Sequence, residues 1–234
     1  PAKDLSKIAS SDKVKKVQKD FEATHVRPQR LMKTLFTDEA YVKANVDEAR
    51  LMRRLFDLAC NMQSHDTDMQ LYSLFTDEEC YDLWSCNNLY WYLTHACSPV
   101  TDGLMPYREA DLLRNILDRA DAALKEGKNQ ATLRFGHESC LLPLVALLEL
   151  NHYGESYPDV EKLSEQWRAY DIFPMASNVQ FVFFHKKGSN DVLVKVLLNE
   201  KETKLPVKTD VAPYYHWKDV ESYYREKLDK YQHI

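Results

Sequence analysis

What this chain of 234 residues lacks narrows its reading first. It has no apolar run long enough to cross a bilayer, and no stretch of the kind that forms the apolar core of a signal peptide. The first residue is Pro1 rather than Met, so upstream processing or truncation, with loss of any leader, is the expectation. A basic excess is also missing: 31 Lys and Arg stand against 36 Asp and Glu, for a net charge of -5. That balance argues against a nucleic-acid partner, because neutralising a run of phosphates needs surplus cations. It leaves room for a small basic pocket. The cysteines, Cys60, Cys80, Cys86, Cys97 and Cys140, are odd in number and show no paired zinc spacing, so buried thiols are the plain reading. They leave the redox compartment open. There is no internal repeat and no low-complexity tract. What is present, 44% hydrophobic residues, is enough to bury a core in one or two domains.

The first third reads as helical. Val14, Val17 and Phe21 recur at helical spacing between Ser11 and His25, with Ser11 or Asp12 as cap, and Arg27-Pro28 ends the run. A further segment surrounds Leu31 to Phe36, and Thr37-Asp38-Glu39 resembles a fresh helix start. The clearest helix spans Asp47 to Met62, with Leu51, Leu55 and Leu58 as its apolar stripe. Arg50, Arg53 and Arg54 project elsewhere, close enough together to face one anionic ligand. The plainer alternative is a solvated face paired with Asp47, Glu48 and Asp57. From Leu71 to Cys97 the chain is rich in aromatics, which at these spacings read as core. Ser98 through Gly103 reads as a linker by composition. A long helix follows from about Tyr107 to Leu124, stopped by Gly127.

The stretch from Ala131 to Leu150 carries the chemistry. Ala131 to Phe135 is β-type, Gly136 makes a turn, and His137-Glu138 open an apolar segment too long for a strand and interrupted by Pro143. Strand, turn and helix in that order place an imidazole and a carboxyl group where helix N–H groups and the positive dipole end hold anions. Beyond it, Val179 to His185 and Val192 to Leu198 are β-rich runs separated by Lys186-Lys187-Gly188-Ser189-Asn190, a hairpin pattern. Trp217 to Tyr231 closes the chain as an amphipathic helix.

Phe135-Gly136-His137 with Leu141-Leu142-Pro143-Leu144 resembles the second signature of the histidine acid phosphatases, in the branch of phytases and multiple inositol polyphosphate phosphatases. There a strand ends in a His followed by an acid and a Leu-Leu-Pro helix. Leu71 to Glu78 resembles a segment of that family's helical domain. Phe173 to Asn178, Val194 to Glu200 and Leu205-Pro206 are similar to the way it continues. The family opens with Arg-His-Gly-X-Arg-X-Pro, whose His is the nucleophile, and no such motif occurs in this sequence. The resemblance therefore implies an α/β fold holding only the C-terminal strands and helices of the phosphatase domain, residues 101–234, with an all-helical cap domain at 1–100.

It further implies hydrolysis of inositol polyphosphates such as phytate through a phosphohistidine. His137 would donate to a phosphate oxygen and Glu138 would protonate the leaving group, with Arg50, Arg53 and Arg54 binding substrate. His137 is expected at the end of a central strand, where open α/β sheets hold their active sites. No cofactor and no metal are implied. The expected partner is the N-terminal segment of the same protein, carrying the nucleophile, without which this chain is expected to be inactive. The implied location is extracytoplasmic, either periplasmic or secreted. Two rival readings stand beside this one: a non-catalytic helical binding or scaffold module, and a cation site at His65, Asp66 and Asp68, which in so polar a stretch reads more simply as an exposed loop.

Overall fold

Helix starts were written plainly in the sequence, and the computed structural model, which describes residues 4–128 and 130–232, realises them. Ser11 caps helix α2 (Asp12–His25) through its Oγ, which accepts from the Val14 N–H. Asp38 and Asp47 do the same for α4 (Glu39–Asn45) and α5 (Glu48–Asn61), accepting from Tyr41 and Arg50 N–H. Two shorter helices complete the early chain, α1 (Leu5–Ala9) and α3 (Gln29–Leu35). Thr76 and Glu79 form a reciprocal box at the head of α6 (Asp77–His95). The Thr76 N–H donates to the Glu79 carboxylate at 2.9 Å, and the Glu79 N–H donates to Thr76 Oγ1 at 3.2 Å.

The chain divides into two units, Lys15–Tyr90 and the residues up to Val14 together with those from Trp91 onward. This differs from the division at residue 100, which rested on reading Ser98 to Gly103 as a linker. That stretch forms a hydrogen-bonded turn in which Ser98 and Thr101 are buried while Pro99 and Asp102 are exposed. The Ser98 carbonyl accepts from Thr101 N–H at 3.2 Å, Thr101 Oγ1 at 3.2 Å and Gly103 N–H at 2.9 Å. Ser98 Oγ accepts from Val100 N–H. Gly103 sits at φ +67°, a conformation that a side chain disfavours. Polar residues that satisfy one another can turn inward, which composition alone does not reveal.

In the Lys15–Tyr90 unit, Leu31, Met32, Val42, Met52, Ala59, Phe75 and Leu83 form the core. Leu51 and Leu55 pack against this core as expected, beside the buried Met52 and Ala59, whereas Leu58, also expected inside, is 53% exposed. Arg27 bridges Glu78 and Asp82 at 2.8 and 2.6 Å, and Arg30 reaches Glu79 at 2.8 Å, so the acid that caps α6 also anchors α3.

The other unit carries α7 (Ala110–Glu126), α8 (Glu138–Leu147), the short helices α9 (Leu163–Gln166) and α10 (Ala169–Ile172), and α11 (Trp217–Gln232). Its sheet is antiparallel and small. β1 (Val179–His185) pairs with β2 (Val192–Leu198) from Val179 opposite Leu198 to His185 opposite Val192, as the hairpin pattern required. β3 (Lys201–Glu202) and β4 (Tyr215–His216) also pair with β2. Alternate residues Val194, Val196 and Leu198 are buried, and α11, which packs on β2, contributes the wholly buried Val220, Tyr224 and Leu228.

The run Ala131–Phe135 is not a strand. It joins no ladder among the described residues, and Leu133 and Phe135 are 75% and 94% exposed. β-propensity organises a segment only where a neighbouring strand takes up its amides and carbonyls.

Candidate active site

Helix α8 is apolar on every side through its second half: Leu142, Pro143, Leu144, Val145, Ala146 and Leu147 are all buried. Such a helix must be enclosed. Its C-terminal carbonyls, orphaned where the helix ends, are taken up by α11. Tyr224 Oη donates to the Leu148 carbonyl at 2.7 Å, and Lys227 Nζ donates to the Leu147 carbonyl at 2.7 Å and meets the Glu149 carboxylate at 3.1 Å. Tyr223 donates its hydroxyl to the same Glu149. The turn beyond is tight: a Cβ added at Gly154 would come within 2.9 Å of the Glu149 Cα, and Glu149 itself takes φ +53°. α11 is in turn tied to α7, where Arg225 reaches Asp118 and Asp121 at 2.9 and 2.8 Å and the Trp217 indole N–H donates to Asp121 at 2.9 Å.

The opposite end of α8 is open. His137 occupies the N-cap with an extended backbone, its carbonyl accepting from Cys140 and Leu141 N–H at 3.0 and 3.1 Å, and its side chain makes no capping bond. Ser, Thr, Asp or Asn would normally fill that place and satisfy an amide of the first turn. Here the amides face an exposed His137 and an exposed Glu138. His137 thus lies at a helix start that follows an unpaired segment, and among the described residues no strand leads into it where a central strand was expected. Pro143 adds to the polarity of this end, since it has no N–H to offer the Ser139 carbonyl one turn earlier.

Sequence reasoning missed the neighbours of this turn. A 3-10 turn, Met105–Glu109, packs against α8, with Met105 and Pro106 buried beneath it. The Glu109 carboxyl receives the Cys140 thiol, and burial raises its pKa against the pull of Arg108 and of that hydrogen bond. His95, 5% exposed, meets Thr94 Oγ1 at 2.7 Å and lies against the Trp91 ring at 4.7 Å. Burial foremost, then the Arg108 guanidinium, lowers its pKa to about 4, with the Glu138 carboxylate opposing. His95 is therefore neutral at physiological pH. No local pattern announces these partners, because they meet α8 through long-range packing.

The arginines of α5 belong to the Lys15–Tyr90 unit. Arg53 pairs with Glu22, and Arg54 with Asp57 at 3.3 Å, while Arg50 is exposed. Two of the three therefore already have carboxylate partners. His65, Asp66 and Asp68 lie in an exposed loop, and no group of three or more metal-ligating side chains occurs among the described residues. Burial lifts the Cys86 thiol to about 12 and Cys97 to about 11, so both stay protonated. No helix among the described residues is long and apolar enough to cross a membrane.

Comparison with known proteins gives this geometry a context. The family model of the histidine phosphatase superfamily (branch 2) matches residues 3–199. Multiple inositol polyphosphate phosphatase 1 of Homo sapiens is 28% identical over 52% of this chain and 27% of its own length. Crystal structures of the Bifidobacterium longum multiple inositol polyphosphate phosphatase resemble the fold at 19% identity. The complex with phosphate aligns with a TM-score of 0.63 over 96% of this chain and 55% of that one. The complex with inositol hexasulfate gives 0.60 over 93% and 53%. This chain therefore spans about half the length of these solved relatives and about a quarter of the human one.

Proposed function

From the premise that this chain belongs to branch 2 of the histidine phosphatase superfamily, we propose that it is part of a phosphomonoesterase acting on inositol polyphosphates such as phytate. The observation that carries the reading is an enclosed helix whose open first turn presents His137 and Glu138 together. The relatives' names supply the substrate class: the proteins most informative for this chain are named for inositol polyphosphates, and one was crystallised with phosphate and with inositol hexasulfate.

Hydrolysis then proceeds in two steps. A neutral imidazole from outside these 234 residues attacks phosphorus to form a phosphohistidine, since Arg-His-Gly-X-Arg-X-Pro is absent here. His137 donates to a non-bridging oxygen, where charge accumulates in the transition state, and the free amides of α8 reinforce it. Glu138, protonated, gives its proton to the departing inositol alkoxide, then as carboxylate takes one from the water that releases phosphate. The piece bearing the nucleophile is the chain's principal partner, and an extracytoplasmic setting accompanies the family reading.

The test is phosphate release from inositol hexakisphosphate by this chain alone and by the chain joined to a segment with the missing motif. Alone it should release none, and joined it should turn over. In the joined protein Glu138→Gln should slow leaving-group expulsion by about 10^2 to 10^4-fold. Sustained turnover by the 234 residues alone, checked by mass for contaminants, would overturn the reading.

A further inference from the structure

A phosphoryl dianion is normally held by permanent cations, and His137 and Glu138 supply none. Most arginines of their unit are already occupied. Arg114 is held by the Leu228 carbonyl and Asp229, Arg134 by Asn115 at 2.7 Å, Arg168 by Asp171 at 2.9 Å, and Arg225 by three carboxylates. Arg119 is exposed and lies roughly two and a half turns into α7. Arg108 stands apart from all of these. It is exposed, and no ion pair or hydrogen bond engages its guanidinium among the described residues. Its place is fixed on both sides: the 3-10 turn that carries it packs on α8, and its neighbour Glu109 accepts the thiol of Cys140 in the first turn of that helix. The Arg108 guanidinium lowers and the Glu138 carboxylate raises the pKa of the buried His95 ring, so both charges act on one group.

We propose that Arg108 is the guanidinium that binds the phosphate group beside His137 at the first turn of α8. The assignment rests on the function proposed above and deepens it by naming a substrate-contacting residue of that site. A guanidinium offers two parallel N–H donors to two phosphoryl oxygens and stays charged at any working pH. Because no salt bridge among the described residues engages Arg108, binding a phosphate breaks none of the ion pairs named above. An imidazole at His137, the α8 amides and this guanidinium would then bind the same tetrahedral anion.

The assignment is tested by titrating this chain with inorganic phosphate, following the histidine ring signals by NMR in the parent, Arg108→Gln, Arg108→Lys, Arg119→Gln and His137→Ala. Arg108→Gln should weaken phosphate on the order of tenfold or more, the loss of one charge-assisted contact. Arg108→Lys should recover part of that, keeping the charge but not the fork, and Arg119→Gln should bind as the parent does. Arg108→Gln should also raise the His95 pKa, because one of the charges that lowers it is gone. If His137→Ala weakens phosphate while Arg108→Gln does not, Arg108 is the wrong residue and the function stands. An unmoved His95 titration in Arg108→Gln overturns the placement. If the parent binds no phosphate, the functional reading falls and this assignment with it.

Discussion

The two ends of α8 teach opposite lessons. At the C-terminal end, carbonyls that the helix leaves unbonded are taken up by Tyr224 and Lys227, and Glu149 is shared between Lys227 and Tyr223. At the N-terminal end, the amides have no side-chain cap, and no ion pair engages Arg108 among the described residues. A helix held at one end and unsatisfied at the other is a fixed mount for groups whose partners come from solution. Stability is expected to reside at one end and chemistry at the other, the usual division between a scaffold and the site that it carries.

The largest effect should come from breaking the mount. Leu147 is wholly buried at the tethered end, and Leu147→Ala should cost about 2–5 kcal/mol in urea unfolding. His137→Ala, at the exposed end, should change stability by less than about 0.5 kcal/mol while removing phosphate binding. Equal losses of stability from the two substitutions would abolish the contrast. The next effect is one of pH. His95 is near the open end, with a folded pKa lowered to about 4 from an ordinary 6.5. Between these values the unfolded chain binds a proton that the folded chain refuses. Stability should therefore fall as pH drops from 6.5 to 4, by roughly 3 kcal/mol, and level off below. Unfolding midpoints of the parent and His95→Gln across pH 3.5–7 would check this, since the variant should lack that slope.

The smallest effect has the opposite sign and lies beside the tether. His216, immediately before α11, meets both oxygens of Asp191 through Nδ1 and Asp210 through Nε2, each at 3.0 Å. Both ring nitrogens must donate, so the ring is charged, and the two aspartates raise its pKa above 6.5. The proton is bound more tightly in the folded chain. Its contribution is complete below pH 6.5 and is lost as pH rises through the raised value. The stability difference between the parent and His216→Gln should shrink from pH 6 to pH 9. A difference that stays constant or grows over that range would show that the ring is not held as imidazolium.

Local signals were readable in the sequence wherever local chemistry decides the outcome. Ser11, Asp38 and Asp47 cap helices as their side chains require, and Gly127 ends α7 at φ +63°. The β1–β2 register follows from two alternating runs and a turn. Where the outcome depends on distant partners, the sequence misled. Leu133 and Phe135 have strand propensity without a strand to pair with among the described residues. The place of His137 and Glu138 at the head of α8 was readable because they are contiguous with that helix. Arg108 and His95 could not be read in the same way, because tertiary packing alone brings them near α8, and nothing along α5 itself announces the carboxylate of α2 that pairs with Arg53.

Gly154 shows how far from the chemistry this arrangement is vulnerable. Its missing side chain leaves the space in which Glu149 turns, and even a methyl group would press on the Glu149 backbone. Displacing Glu149 loosens Lys227 and Tyr223, the next links to the end of α8. Under the proposed function, a substitution at Gly154 would therefore lower activity although it touches neither His137 nor Glu138, and tolerance to substitution here would follow the supports of α8 more than distance from its first turn.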